Sequence, residues 1–207
     1  MNAQLIAIVG GSGSGKTWLA GRLAEEFGGE AGRLSLDDFY LDLSHLPPAE
    51  RDEVNFDHPA ASDWPLFDRC IRGIRAGDAV DLPGYDFATH TRRPEPRRWE
   101  PRRVVLIEGL WLLRDPELRR LYSMSVYVDC PEHVRLQRRV ERDLSERGRS
   151  AGSVCTQFER HVAPMHRRFV TEQARHADVV LESPVSTTQF TRLRARCTRR
   201  LQIFPCL

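Results

Sequence analysis

Short runs of apolar residues recur along the chain, separated by helical or turn-forming stretches. Most of these runs are continuous rather than alternating, which is typical of strands in a sheet that helices cover on both faces. The five runs are Leu5–Val9, Arg33–Leu36, Val104–Ile107, Ser125–Val128 and Asp178–Leu181. Their alternation with helices predicts a three-layer α/β fold whose five-stranded sheet is parallel.

The first run leads into a glycine-rich loop that matches the phosphate-binding pattern G-x-x-x-x-G-K-[ST] in full. After it, Leu19, Leu23 and Phe27 recur four residues apart, which predicts an amphipathic helix. This order predicts a P-loop NTPase fold that binds a nucleoside triphosphate, rather than a glycine-rich turn that matches by chance. The residues expected to bind ATP are Gly10, Gly11, Ser12, Gly13, Ser14, Gly15, Lys16 and Thr17.

Two side chains of this loop carry its chemistry. Lys16 is expected to reach the β- and γ-phosphates, and the Thr17 hydroxyl to ligate Mg²⁺. Lys16 is the only lysine in a chain with 31 lysine and arginine residues together. A compact ammonium group and a planar guanidinium are not interchangeable in so tight a loop. The retained lysine therefore favours a working phosphate site.

Acidic residues follow the predicted strands at the edge where a parallel sheet binds ligands. Glu108 closes the third run and is expected to hold Mg²⁺ or its water molecules, although an acid at a strand end often has no such role. Asp37 follows the second run and is the candidate general base for a hydroxyl that attacks the γ-phosphate. Asp38 could serve instead, or could simply cap the next turn.

Residues 41–103 are irregular and rich in turn formers, and they form an insertion between the second and third predicted strands. We expect one helix near Trp64–Ile74 and a hairpin. A loop of this length with its own aromatic side chains is usually functional. Arg92–Arg103 holds six arginines and two glutamates, which indicates a solvated hairpin or a subunit contact more than a nucleic-acid patch.

A second arginine-rich stretch, Glu132–Glu146, has helical periodicity, and Arg135, Arg139 and Arg142 fall on one face of that helix. From charge alone, a solvated helix that pairs with its own acids is the plainer interpretation.

Composition limits the class of protein. The chain has 207 residues, a formal net charge of +2 and 41% hydrophobic residues, which suits one soluble domain spanning 1–207. The near-neutral charge gives no case for nucleic-acid or membrane binding. The five cysteines are scattered and contain no C-x-x-C, which argues against disulfides and zinc. No signal peptide or membrane-spanning run is evident, so a cytoplasmic location is expected.

Several segments together resemble the uridine–cytidine kinase family in order and spacing, over roughly residues 5–178. Besides the phosphate loop, these segments are Ser35–Tyr40 (SLDDFY), Asn55–Pro59 (NFDHP), Tyr85–Arg92 (YDFATHTR), Ile107–Gly109 (IEG) and Arg142–Arg149 (RDLSERGR). The phosphate loop is shared with many kinases, whereas the NFDHP and YDFATHTR segments are far more specific.

The resemblance implies an ATP- or GTP-dependent, Mg²⁺-requiring kinase that phosphorylates the 5′-hydroxyl of uridine and cytidine, with a role for each site residue. Asp37 would be the base, and Asp57 would bind the ribose hydroxyls. Residues about 132–150 would form a lid that closes over the phosphates. The remaining substrate-binding residues would be Tyr40, Phe56, Tyr85, Phe87, His90, Arg139, Arg149 and Gln157, with Lys16, Arg142 and Arg147 acting on the phosphates. Members are typically homotetramers.

The chain departs from the family pattern at two places. Trp18 stands where a small hydroxyl residue is usual, and the end of the chain, 183–207, lacks the usual glycine-bearing turn and carries the basic segment Arg192–Arg200. We expect these departures to leave catalysis intact and to bear instead on the adenine contacts and the oligomer geometry. Two alternatives stay open: another small-metabolite kinase, phosphoribulokinase-like or pantothenate kinase-like, and a catalytically silent nucleotide-binding regulator.

Overall fold

The computed structural model describes residues 2–146 and 148–201. Its nine strands among these residues are β1 Gln4–Gly10, β2 Ala31–Ser35, β3 Val80–Leu82, β4 Tyr85–Asp86, β5 Thr91–Arg92, β6 Arg97–Trp99, β7 Val104–Gly109, β8 Met124–Asp129 and β9 Val179–Glu182. Five of them form one sheet in the order β2-β7-β1-β8-β9, with every pair parallel. The predicted parallel sheet and α/β P-loop fold are confirmed.

Helices connect and cover these strands. The α-helices are α1 Lys16–Phe27, α2 Pro48–Asp52, α3 Trp64–Ala76, α4 Pro116–Arg119, α5 Glu132–Glu146, α6 Ala151–Gln157, α7 Ala163–Met165 and α8 Thr187–Leu201. Two π-helical turns, Phe158–Val162 and His166–Val170, flank α7. No helix in the described ranges is long and apolar enough to cross a membrane.

The sheet separates two hydrophobic cores, and β1 contributes to both because its side chains alternate between the faces. Leu5, Ala7 and Val9 face a core shared with α3, whereas Ile6 and Ile8 face a core shared with α1 and α8. All five side chains are fully buried. This explains why the strand has no polar face in sequence.

The insertion contains two α-helices, α2 and α3, one more than the sequence predicted, together with two small antiparallel ladders. The side chain of Asp63 caps α3 by accepting from the Leu66 N–H at 3.0 Å, and Gly77 ends the helix with φ 86°. The strands β3 and β6 pair with each other, and β4 pairs with β5 inside them. The predicted helix and hairpin are therefore present, and the inner ladder points the YDF segment toward the carboxyl edge of the main sheet.

Candidate active site

The glycine-rich loop joins β1 to α1 in the conformation that its sequence requires. Gly13 and Gly15 have φ of 79° and 97°, a region that side chains rarely adopt. A Cβ on Gly13 would also lie 2.5 Å from the carbonyl oxygen of Arg135, so α5 packs directly against the loop. Glycine at position 13 is thus needed for both backbone shape and space.

Lys16 lies partly buried in the loop, where its Nζ donates to the Gly11 carbonyl at 3.1 Å. Burial lowers the pKa of Lys16, while the nearby carboxylates of Glu108 and Asp37 act in the opposite direction. An anion bound in the loop would stabilise the charged ammonium. The arrangement suits a phosphate group.

Glu108 lies inside β7 rather than after it, which corrects the predicted strand boundary. Its two carboxylate oxygens accept from the Thr17 hydroxyl at 2.8 and 2.9 Å. Burial raises the pKa of Glu108, and Lys16 partly opposes that rise. A hydroxyl and a carboxylate are hard oxygen donors, so this pair fits Mg²⁺.

Mg²⁺ sites in phosphotransferases use few protein ligands and are completed by phosphate oxygens and water. The described residues contain no group of three or more His, Cys, Asp or Glu side chains that could hold a metal ion. A Thr17–Glu108 site would therefore depend on the bound nucleotide.

Asp37 lies on the 3₁₀ turn that follows β2 and lines the same cavity as Lys16. Its N–H donates to the Ser35 side chain at 3.2 Å, and the Tyr40 hydroxyl donates to its carboxylate at 3.4 Å. Asp38 is not among the described residues that line this cavity. Burial raises the pKa of Asp38, and Arg97 and Arg93 oppose that rise. The geometry favours Asp37 over Asp38 as the base.

Aromatic side chains from the insertion form one wall of the cavity. The Phe56 and His90 rings stack with centroids 4.5 Å apart and planes at 18°. Tyr40 packs edge-on against Phe56 and Tyr85, and Tyr85 packs edge-on against Phe87. Burial raises the pKa of Tyr85 to about 12, so its hydroxyl stays protonated at neutral pH. Within the part of the chain that the structure describes, this hydroxyl has no hydrogen-bond partner.

Asp57 stands between the aromatic wall and the phosphate loop. Its side chain is buried, and burial raises its pKa while Arg139 opposes the rise. A buried carboxylate at a cavity wall is costly unless a ligand or cation faces it. This is the position expected for a group that binds hydroxyls of a substrate.

The arginine-rich helix α5 is not a solvated helix on its inner face, because Arg135 and Arg139 are buried there. Arg139 donates to the Ser12 hydroxyl at 2.9 Å and to the Gln157 side chain at 2.7 Å. Arg149 donates to the same Gln157 oxygen at 2.5 Å. The predicted lid therefore lies against the phosphate loop, and its arginines enter the cavity.

One cavity of about 270 Å³ collects most of the predicted site residues. Its described lining is Ser12, Gly13, Gly15, Lys16, Thr17, Asp37, Tyr40, Phe56, Asp57, Tyr85, Phe87, His90, Glu108, Leu110, Arg138, Arg139, Arg142, Arg149 and Gln157. Of the predicted residues, Gly10, Gly11 and Ser14 belong to the loop but are not among this lining, and Arg147 lies outside the described residues.

Sequence reasoning gave no site role to Arg138 or Leu110. Arg138 donates to the Ser183 hydroxyl at 2.8 Å and lines a second pocket of about 330 Å³ beside the loop. That pocket is also lined by Trp18, Pro184 and Val185. Arg138 lies three residues after Arg135 and four before Arg142, which is the spacing of one helix face, so this periodicity was the signal that could have identified it.

Comparisons with known proteins agree with this geometry. The sequence profile described as the phosphoribulokinase/uridine kinase family matches residues 5–189. The uridine kinase of Brevibacillus brevis is 42% identical over 87% of this chain and 85% of its own length. The uridine kinase of Chloroflexus aggregans is 44% identical over 86% of each chain. The phosphoribulokinase structure from Rhodobacter spheroides shares the fold, with a TM-score of 0.64, 15% identity, and coverage of 87% of this chain and 70% of that one. By this agreement along nearly its whole length, the chain belongs to the phosphoribulokinase/uridine kinase family.

Proposed function

We propose that this protein transfers the γ-phosphoryl group of ATP to the 5′-hydroxyl of uridine and cytidine, forming UMP and CMP in pyrimidine salvage. The observation that carries the proposal is one cavity in which Lys16, Asp37 and Asp57 face an aromatic wall. Phosphate-binding, proton-accepting and hydroxyl-binding groups thus share a space with a surface for a flat base. Curated relatives named uridine kinase support the same substrate class.

The donor triphosphate would lie in the glycine loop. Backbone N–H groups and the N-terminus of α1 would bind its oxygens, and the Lys16 ammonium would neutralise the β- and γ-phosphates. Thr17 and Glu108 would hold Mg²⁺, which when bound neutralises phosphate charge and orients the γ-phosphate. The purine would extend into the pocket beside Trp18, where GTP would also fit because its lining is largely apolar around the base.

The acceptor would be held by its ribose. Asp57 offers two carboxylate oxygens to the 2′- and 3′-hydroxyls, which leaves the 5′-hydroxyl directed toward Asp37. Asp37 accepts the 5′-hydroxyl proton as that oxygen bonds to the γ-phosphorus. The bond between the γ-phosphorus and the β–γ bridging oxygen breaks, and ADP leaves.

The pyrimidine would lie against the aromatic wall. Tyr85 and His90 would contact its polar edge, and Phe56, Phe87 and Tyr40 would pack around it. A neutral imidazole donates from one nitrogen and accepts at the other, so His90 suits the 4-oxo group of uridine and the 4-amino group of cytidine. This is why we propose both nucleosides as substrates.

The lid would complete the site when substrates bind. Arg142 and Arg147 would contact the phosphates, while Arg139, Arg149 and Gln157 would contact the nucleoside. Cationic groups over the transferred phosphoryl stabilise its charge and exclude water, which would otherwise hydrolyse ATP.

The setting of the enzyme is also a proposal. We propose a single kinase domain over residues 1–207, with the insertion 41–103 and the lid about 132–150 as its substrate-binding parts. It would act in the cytoplasm as a homotetramer and bind neither nucleic acid nor membrane. Size-exclusion chromatography with light scattering tests the tetramer, because each added chain raises the measured molar mass by 23.8 kDa.

The test of function is ADP release from Mg-ATP with uridine, cytidine, thymidine, adenosine, pantothenate and ribulose 5-phosphate offered separately. Turnover confined to uridine and cytidine is expected. Turnover only with pantothenate or the sugar phosphate would mean that the acceptor pocket is wrongly assigned. ATP binding without turnover on any acceptor would favour the regulatory alternative.

A further inference from the structure

Asp143 is a fully buried carboxylate to which the reaction above gives no step. It lies on α5 between the arginines of the lid, with none of its side chain exposed to solvent. Buried carboxylates are rare and are held by cations or hydrogen-bond donors. Its partners therefore indicate what it does.

Within the described ranges, the partner that lies closest to the Asp143 side chain is Arg142, its neighbour in the chain. Nε and Nη2 of Arg142 both donate to Oδ1 of Asp143, at 2.8 and 2.7 Å. Because two N–H groups of the planar Arg142 guanidinium donate to the same carboxylate oxygen, the orientation of the guanidinium is fixed. Arg142 itself lines the cavity and is about one-third exposed.

Two further lid arginines, Arg139 and Arg149, depend on Asp143 much less. Nε of Arg139 and Nη1 of Arg149 lie 3.6 and 3.8 Å from Oδ2 of Asp143, beyond hydrogen-bond length. Both arginines are instead held by the Gln157 side chain, and Arg139 also by Ser12. Among the described residues, by contrast, the Arg142 side chain hydrogen-bonds only to Asp143.

Charge makes this difference important. Among the described residues, three guanidinium groups converge on this carboxylate, so the cluster keeps an excess positive charge that suits a polyanion. Without the carboxylate, Arg142 would lose the anchor that the described residues give it and would be repelled by Arg139 and Arg149. It would then turn toward solvent, because it is the most exposed of the three.

We propose that Asp143 is a positioning residue that holds the Arg142 guanidinium in the cavity, ready for the transferred phosphoryl group. The proposal rests on the proposed kinase function for the role of Arg142. In this proposal Asp143 contacts neither substrate and acts through Arg142.

The test is a double-mutant cycle on kcat with the variants D143N, R142Q and D143N/R142Q. Asparagine keeps the size of the side chain but loses its charge. We expect D143N to lower kcat about 10–100-fold, the scale of a misplaced catalytic group, and to leave the KM for the nucleoside nearly unchanged. When Arg142 is already glutamine, adding D143N should change kcat by no more than about threefold, because the guanidinium that Asp143 holds is absent.

A matched control separates positioning from stability. Asp178 is another partly buried aspartate, bound by Ser125 and Arg200 at the opposite end of the strands from the cavity. D178N should lower the melting temperature but leave kcat unchanged. Three results would each overturn the proposal. The first is an unchanged kcat in D143N, and the second is a loss of kcat that is equal in D178N and D143N. The third is an effect of D143N on kcat that is the same with and without Arg142.

A second comparison covers the case in which D143N does not fold. The double variant D143N/R149Q removes the Arg149 cation together with the Asp143 anion, so it leaves less unbalanced charge than D143N. Its kcat is compared with that of R149Q alone. We expect its kcat to lie at least about 10-fold below that of R149Q, and equal rates would overturn the proposal.

The proposed function and this inference fail separately. If the wild type does not phosphorylate uridine or cytidine, the function is wrong. The double-mutant cycle is then measured with whichever acceptor the wild type phosphorylates, or on its basal ATP hydrolysis. The ratios of kcat between the variants decide the role of Asp143 in the same way.

Discussion

The Thr17 hydroxyl at the start of α1 donates to both carboxylate oxygens of Glu108 near the end of β7, at 2.8 and 2.9 Å. Two neighbouring strands of the sheet, β1 and β7, thereby place a hydroxyl and a carboxylate at one edge of the phosphate loop. The contact joins residues 91 positions apart. It marks the place where we propose that Mg²⁺ binds.

The first prediction concerns this pair. Replacing Glu108 with Gln keeps its size but removes the charge that would hold Mg²⁺ or its water molecules. The Mg²⁺ concentration for half-maximal rate should rise about 10–100-fold, the effect typical of lost metal-supporting contacts. E25Q, an exposed change on the same helix as Thr17, is the control. An unchanged Mg²⁺ requirement in E108Q would place the metal elsewhere.

The second prediction concerns the base. Asp37→Asn removes the proton acceptor and should lower kcat by a factor of about 10²–10⁴. The dissociation constant for ATP, measured by calorimetry, should change little because the phosphate loop is intact. D38N is the matched control, since Asp38 is not among the described cavity-lining residues. If D38N, and not D37N, loses turnover, the two roles are exchanged.

The third prediction concerns the pocket beside the loop. Trp18 is about half exposed and packs edge-on near Phe190, with ring centroids 6.5 Å apart. Base–aromatic contact contributes about 1 kcal/mol or more, so W18A should raise the KM for ATP about fivefold or more. W18F, which keeps a ring, should restore most of the affinity. Because the pocket walls around the base are mainly apolar, W18A should raise the KM for GTP by a similar factor. A KM for ATP that does not change in W18A would remove Trp18 from the donor site.

The fourth prediction is a stability effect that depends on pH. Burial raises the pKa of Asp57, so the folded state binds more protons than the unfolded state between the unfolded and folded pKa values. Stability therefore falls as pH rises through that window, and the penalty is fully present above the folded pKa. The D57N variant lacks this penalty and should melt at a higher temperature than wild type at neutral pH.

The advantage of D57N should shrink as pH falls toward the unfolded pKa of Asp57, while binding of uridine is lost throughout. Thermal melts of the ligand-free proteins across pH check this. A pH-independent difference, or a lower melting temperature for D57N at neutral pH, would contradict the assignment of Asp57 as a buried carboxylate whose burial its cationic neighbours offset only in part.

The sheet and the phosphate loop were predictable because their signals are local. The run Leu5–Val9 has no polar residue, as is typical of a strand buried on both faces, and Lys16 is the single lysine of the chain. The ladders of the insertion gave weaker signals. β4 and β5 contain two residues each, too few for a period to be read.

The lid was harder to predict because charge patterns do not reveal burial. Asp143 and Arg142 look like ordinary surface charges of a helix, and the spacing of Arg135 fits a solvated face equally well. Arg135 is buried because the loop more than 100 residues earlier has glycine at positions 11 and 13, which lets α5 approach closely. The roles of the cavity residues stay predictions until variants are measured.

The most direct measurement is the identity of the phosphorylated product, by ³¹P NMR of wild-type protein with Mg-ATP and uridine, beside 5′-deoxyuridine. We expect a 5′-monophosphate from uridine, and from 5′-deoxyuridine binding without any product, because Asp37 then has no hydroxyl to deprotonate. Phosphate on the 2′- or 3′-oxygen, or turnover of 5′-deoxyuridine, would contradict the arrangement of Lys16, Asp37 and Asp57 proposed for this cavity.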